Sequence, residues 1–287
     1  MSGRYHAAVP LSPWTSRRAA VTLAALLLVA PLAACGNDET STPTPTSTPA
    51  SPPAAGATTT SGGAPATSPA TPPANMPGDL ARPYRVTYAK ADGALNIYGA
   101  PGETKAARTL PNPLPVAGGA ASVPLVLLEK SPAADGWIEV YLPVRPNGST
   151  GFVKAADVRT ESHNFRIEVK LGAFNLKAYD GDKVILDAPI ATAKGNTPTP
   201  GGLYYTNQLL QPPQQNGPYG TYAYGLSGFS DTLTEFAGGD AQLGIHGTNE
   251  PDKIGQQVSS GCIRLRNADI DKLAKVLPLG VPVLIET

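Results

Sequence analysis

The sequence predicts a mainly β protein: two β-rich modules in tandem behind a long polar leader, with one prominent helix near the C-terminus. Three observations carry this. Apolar and polar residues alternate in short runs such as Arg166-Ile167-Glu168-Val169-Lys170-Leu171, the period of a half-buried strand. These runs are separated by turn dipeptides, among them Asn147-Gly148 and Asp180-Gly181. A helical apolar stripe occurs convincingly only once, at Ile270, Leu273, Ala274 and Leu277.

The first 35 residues read as an export signal. Arg17 and Arg18 precede the apolar run Ala19 to Ala30, which is too short for a comfortable membrane span. The run closes on Leu32-Ala33-Ala34-Cys35, which resembles the lipobox of bacterial lipoproteins and implies Cys35 as the lipidated first residue of the mature chain. An ordinary cleaved signal, or a short anchor with an incidental cysteine, is the alternative. The expected location is outside the cytoplasm, lipid-anchored to the outer face of the membrane and reaching into the cell wall. With Cys35 lipidated, Cys262 has no intrachain partner, since the chain holds 2 cysteines. A free thiol in an oxidising compartment is a liability unless its reactivity is used.

Residues 36–80 follow as a linker without a charge from Thr40 to Gly78. Ser, Thr, Pro, Ala and Gly cannot bury enough apolar surface to offset chain ordering, so a disordered tether is expected. Stretched at ~3.1 Å per residue it would reach on the order of 100 Å. Formal charge is +0 with no basic stripe, which argues against a nucleic-acid partner.

Residues 81–160 form the first β module. Trp137-Ile138-Glu139-Val140-Tyr141 alternates, Pro146-Asn147-Gly148 turns, and Gly151-Phe152-Val153 returns. This closing hairpin resembles that of bacterial SH3-like modules and implies a small β-barrel that touches peptidoglycan or orients its neighbour.

Residues 164–287 form the second module. Strands are expected at 166–171 and 183–186, then the loop Thr197-Pro198-Thr199-Pro200-Gly201-Gly202. Asn267 is placed to cap the helix, with Asp269 and Asp271 in its first turn. Pro278 and Gly280 end it, and Val281 to Ile285 reads as a buried strand.

Within this module lies Ile245-His246-Gly247-Thr248-Asn249, and sixteen residues after His246 comes Cys262, in Ser259-Ser260-Gly261-Cys262. Alone, His246 suits a core histidine and Cys262 a small buried hydrophobe. Together they suit nucleophilic catalysis. His246 follows the apolar run Leu243-Gly244-Ile245, the end of a strand. Gly261 permits a tight turn and close approach of a substrate to backbone amides. An adjacent imidazole can take the thiol proton to give thiolate and imidazolium. Two ligands are too few for zinc, so no metal is expected, and no cofactor.

The run I-H-G-T-N-x-P, then I-G, then S-x-G-C-I-R, resembles the signature of the YkuD-type L,D-transpeptidase catalytic domain, as do the TPTPGG loop and the terminal G-V-P-V-L-I. The resemblance implies a β-rich, sandwich-like fold carrying a helix near the nucleophile. It implies Cys262 as nucleophile, His246 as base and the Gly247 carbonyl as the group orienting the imidazole. The amides of Gly261 and Cys262 are the candidate oxyanion hole, with Ser260, Arg264 and Asn249 as further candidates around substrate. Arg264 either holds a substrate carboxylate or pairs with a local acidic residue. Ser259 and Asn249 shape the loop, and Tyr222, Tyr224 and Phe229 are candidate pocket residues. Many members have histidine at the position of Ser260, which puts that histidine's contribution in doubt here.

The reaction implied is transfer between peptidoglycan tetrapeptide stems, forming 3→3 cross-links, with reactivity towards carbapenems. Hydrolysis by the same site (an L,D-carboxypeptidase), attachment of an amine or protein to the wall, and a non-catalytic peptidoglycan-binding lipoprotein are the competing readings.

Overall fold

Short alternating runs and frequent turn residues produce a chain of strands in this computed structural model, which describes residues 82–116, 122–236 and 238–287. The export signal, Cys35 and all of the linker lie outside the described residues. The fold is mainly β, with one α-helix among the described residues, α1 (Asn267–Ala274), and two short 3₁₀ turns.

Towards the N-terminus, a three-stranded sheet runs in the order Val126–Leu128, Tyr84–Ala89, Val158–His163. Hairpins Gly93–Ile97/Arg108–Asn112 and Trp137–Tyr141/Thr150–Lys154 pack beside it. The expected alternation holds: Ile138 and Val140 are buried while Trp137, Glu139 and Tyr141 are half-exposed. Those inward residues join Leu95, Ile97, Leu125, Leu127 and Val153 in one core cluster.

From Phe165 onward eight strands form one continuous sheet. Its order is Lys183–Pro189, Asn175–Asp180, Phe165–Lys170, Pro282–Glu286, Gly202–Leu210, Ala223–Phe229, Gln242–His246, Ile263–Arg264. The C-terminal strand is central and buried along four of its five residues, which explains its unbroken apolar run. Register shifts between Thr206 and Gln208, and between Gly225 and Phe229, bend the sheet. It therefore curls around a single core in place of stacking two separate layers. Helix α1 lies against the edge strand Lys183–Pro189 and against Gln242–His246, bridging distant parts of the sheet order. Its residues Ile270 and Leu273 join Ile167, Val169, Leu176, Leu243, Ile245 and Val283 in the core.

The helix starts and stops differently from its sequence signals. Arg266 is the N-cap, with no side-chain capping bond, and Asn267 is the first helical residue. The last regular residue is Ala274, and Leu277 packs into the core from beyond the helix. Tyr224 donates from its hydroxyl to the carbonyls of Leu273 (3.2 Å), in the last turn of the helix, and Leu277 (3.4 Å), just beyond it, so its polar end is satisfied inside the core.

The Asn147-Gly148 turn does more than reverse the chain. Asn147 behaves as a surrogate strand, its amide donating to the Phe229 carbonyl (2.8 Å) and its oxygen accepting from the Phe229 N–H (2.9 Å). Beside it, Arg145 donates to the carbonyls of Ser230 (2.6 Å), Leu233 (3.0 Å) and Asp240 (3.0 Å) and lies over the Phe229 ring. Replacing Asn147 with Ala strips both backbone groups of Phe229 of their partners. Asn147→Ala is expected to lower unfolding free energy by about 2 kcal/mol, read as a lower urea midpoint with unchanged slope.

Candidate active site

The segment between His246 and Cys262, sixteen positions apart, is closed by parallel pairing. Ile245 pairs with Ile263 and His246 with Arg264, so Cys262 sits one residue before its strand, level with Gly244. Side chains alternate along a strand, so Gly244 and His246 face the same way, and Cys262 shares that face. A Cβ at Gly244 would meet Sγ at an ordinary 3.8 Å, its tighter neighbour being the Tyr224 carbonyl oxygen at 3.0 Å.

The imidazole is held by its own chain. His246 is buried, and Nδ1 lies 2.6 Å from the Gly247 carbonyl oxygen. A carbonyl only accepts, so Nδ1 carries the proton and Nε2 is left as the basic nitrogen. The ring of Tyr219 meets the imidazole edge-on, centroids 5.0 Å apart.

The turn before the cysteine is braced from within and without. Ser259 donates from Oγ to the Cys262 carbonyl (2.5 Å) and accepts from the Gly261 N–H (3.3 Å). Thr199, in the Thr-Pro-Gly loop, donates to the Gly261 carbonyl (2.8 Å), and the Lys194 N–H donates to the Ser259 carbonyl (3.0 Å). Gly261 has φ +129°, a conformation that disfavours any side chain.

Burial moves both titrating groups towards neutrality. It lowers the His246 imidazole to about 4, against the bond to Gly247, with the Arg264 charge pushing the same way as burial. It raises the Cys262 thiol, while the Gly244 amide and the Arg264 charge pull it down. The resting pair near pH 7 is therefore thiol and imidazole, each pushed further from its charged form than it would be in water.

Arg264 donates from Nη1 to Glu250 Oε2 at 2.9 Å, its side chain 16% exposed. Of the two roles open to it, the local ion pair is the one present. The Gly261 N–H, expected in the oxyanion hole, is turned to Ser259. Asn249 is exposed and Ser260 half-buried. Asn267, expected as a helix cap, instead accepts from the Thr248 N–H at 2.9 Å. Of the expected pocket aromatics, Tyr224 belongs to the core, Tyr222 packs against it, and Phe229 lies beneath Arg145. The aromatic that meets His246 is Tyr219. Its signal is a tyrosine between Pro218 and Gly220 in a chain poor in aromatics. Thr199, Gly244 and Glu250 were likewise not singled out from the sequence.

Comparison with known proteins bears on this segment. The family model of the L,D-transpeptidase catalytic domain (YkuD) matches residues 164–285. The proteins of Bacillus licheniformis and Bacillus subtilis designated L,D-transpeptidase YkuD are each 37% identical over 121 residues. Those residues are 42% of this chain and 65% of each relative, so the chain spans just under two thirds of their length. The solved catalytic domain of an Enterococcus faecium L,D-transpeptidase is 23% identical, with 43% of this chain and 98% of that one covered, at a TM-score of 0.31.

A histidine held neutral by burial gives a signed pH dependence. Its folded value lies below its unfolded 6.5, so the stability it contributes is present above pH 6.5 and is lost as pH falls towards 4. Between pH 7 and pH 5 the wild type is expected to lose about 2 kcal/mol of unfolding free energy that His246→Gln does not lose, read from urea titrations at the two pH values. The segment that carries His246 and Cys262 on one sheet face is, by sequence, similar to the L,D-transpeptidase catalytic domain of the YkuD family.

Proposed function

We propose that this chain is a cysteine-dependent L,D-transpeptidase that joins peptidoglycan stem peptides by 3→3 cross-links. It is exported and tethered by a lipid on Cys35, and the linker carries its catalytic module into the wall. The observation that carries this reading is the strand pairing that sets Cys262 beside Gly244 and on one face with an imidazole whose free nitrogen is Nε2. The similarity of residues 164–285 to the L,D-transpeptidase catalytic domain supports the substrate class. The β module at residues 81–160 is proposed as SH3-like, with a role in orienting the catalytic module, in keeping with the bonds from Arg145 and Asn147.

In the reaction, Cys262 Sγ attacks the carbonyl carbon after the third residue of a donor tetrapeptide. Because the resting thiol is protonated, its proton passes to His246 Nε2 as the carbon–sulfur bond forms. Burial of the imidazole makes the transient imidazolium costly, and the Gly247 carbonyl bond to Nδ1 offsets part of that cost. The amide of Cys262 is the proposed donor to the oxyanion, since Gly261 would first have to leave Ser259. Collapse breaks the amide bond, and the departing D-alanine takes the proton from Nε2. The side-chain amine of a second stem then attacks the thioester, gives its proton to Nε2, and expels Cys262 as thiol. Water in place of the amine gives hydrolysis.

Incubation with a carbapenem is expected to add the mass of one drug molecule to the wild type and none to Cys262→Ala, measured on the intact protein. His246→Ala is expected to slow that addition roughly 10²–10⁴-fold. Two stems supplied together should yield a cross-linked product and free D-alanine. No adduct and no D-alanine release would favour a binding lipoprotein, and D-alanine release without cross-link a carboxypeptidase.

A further inference from the structure

Two backbone segments bracket the His246 imidazole. One is Tyr219-Gly220-Thr221, whose tyrosine ring meets the imidazole edge-on. The other is Gly247-Thr248, whose first carbonyl binds Nδ1. A single side-chain oxygen stands between them. Asn267 Oδ1 accepts from the Thr248 N–H at 2.9 Å, and it lies so close to Gly220 and Gly247 that a Cβ at either position would overlap it. One turn further along the helix, Asp271 accepts a hydrogen bond from the Thr221 hydroxyl. The N-terminal half of α1 thus grips both segments, and the side-chain oxygen of Asn267 is spent outside its own helix, whose N-cap is Arg266.

We propose that Asn267 is the positioning residue of the catalytic base, fixing through Gly247 the carbonyl that sets the His246 tautomer and through Gly220 the loop that carries Tyr219. This rests on reading His246 as the base. Asparagine suits the position because its oxygen accepts without charge. An aspartate there would accept equally well but would place an anion one residue from the imidazole and favour its protonated form. Tyr219 meets the ring from the loop, the Arg264 cation acts on it from the adjoining strand, and Cys262 lies on the same sheet face. Asp271 is bonded to Thr221 and Glu250 to Arg264. Both carboxylates are thus engaged, and an anion added at position 267 would be read at the ring.

The test uses the full-length protein as wild type, Asn267→Ala and Asn267→Asp. The readouts are the pH profile of carbapenem addition to Cys262, the ¹⁵N spectrum of the His246 ring, and the thermal midpoint. Asn267→Ala is expected to slow acylation roughly 10–100-fold and to replace the single Nδ1–H tautomer by a mixture. Asn267→Asp is expected to recover most of the rate above pH 7 and to move the acid limb up by about one pH unit. A lowered thermal midpoint with the tautomer, acylation rate and acid limb unchanged would overturn the proposal. If the alanine variant does not fold, the aspartate variant decides, and an unmoved acid limb overturns it. If the wild type itself forms no adduct, the catalytic reading falls, and the ring spectra of the variants alone decide whether Asn267 sets the tautomer.

Discussion

The parallel pairing of Gln242–His246 with Ile263–Arg264 is the constraint on which the site depends. A parallel pair cannot be joined by a tight turn, so the chain must leave the sheet after His246 and return on the same side. The connection between them supplies Thr248, Glu250 and the Ser259–Cys262 turn, and each is tied back to a fixed element. Register then does the rest, since slipping the short strand by one residue would turn Cys262 to the opposite face from His246. Helix α1 follows directly and packs on Gln242–His246, so the pairing that aligns Cys262 with His246 also delivers Asn267 and Asp271 to the loops around the imidazole.

The electrostatics follow from that packing. Placing an imidazole and a thiol in a buried corner beside a guanidinium favours the neutral imidazole, and burial outweighs the local attractions that would stabilise thiolate. Glu250 pairs with Arg264, whose charge still acts on both groups. The result is a pair that rests neutral, with the Cys262 thiol not standing as a thiolate.

Much of the fold was legible in the sequence because strand signals are local. The alternation at Trp137–Tyr141 and the apolar run ending the chain both reported their burial correctly, and the Asn147-Gly148 turn was visible as a turn. Where local signals misled, a tertiary partner had taken the side chain. Asn267 reads as a cap, since Asn before an apolar stripe usually is one, yet Thr248 claims its oxygen. Tyr224 reads as a pocket residue by its nearness to His246, yet strand alternation and the helix carbonyls draw it into the core. Tyr219 was passed over because the chain reversal that brings it to the imidazole leaves no periodic signature.

By itself the sequence determined that His246 ends a strand, that Cys262 follows a glycine in a turn, and that the two belong to one segment similar to a known catalytic domain. These are properties of residue type and short spacing, which local propensity and side-chain period encode directly. Only the tertiary structure decided that the two residues share a sheet face, that both are neutral at rest, that Arg264 is paired with Glu250, and that the Gly261 amide is engaged by Ser259. Each of these depends on burial or on a partner distant in sequence, and the energy of a buried charge or a shared oxygen is set by what surrounds it in space.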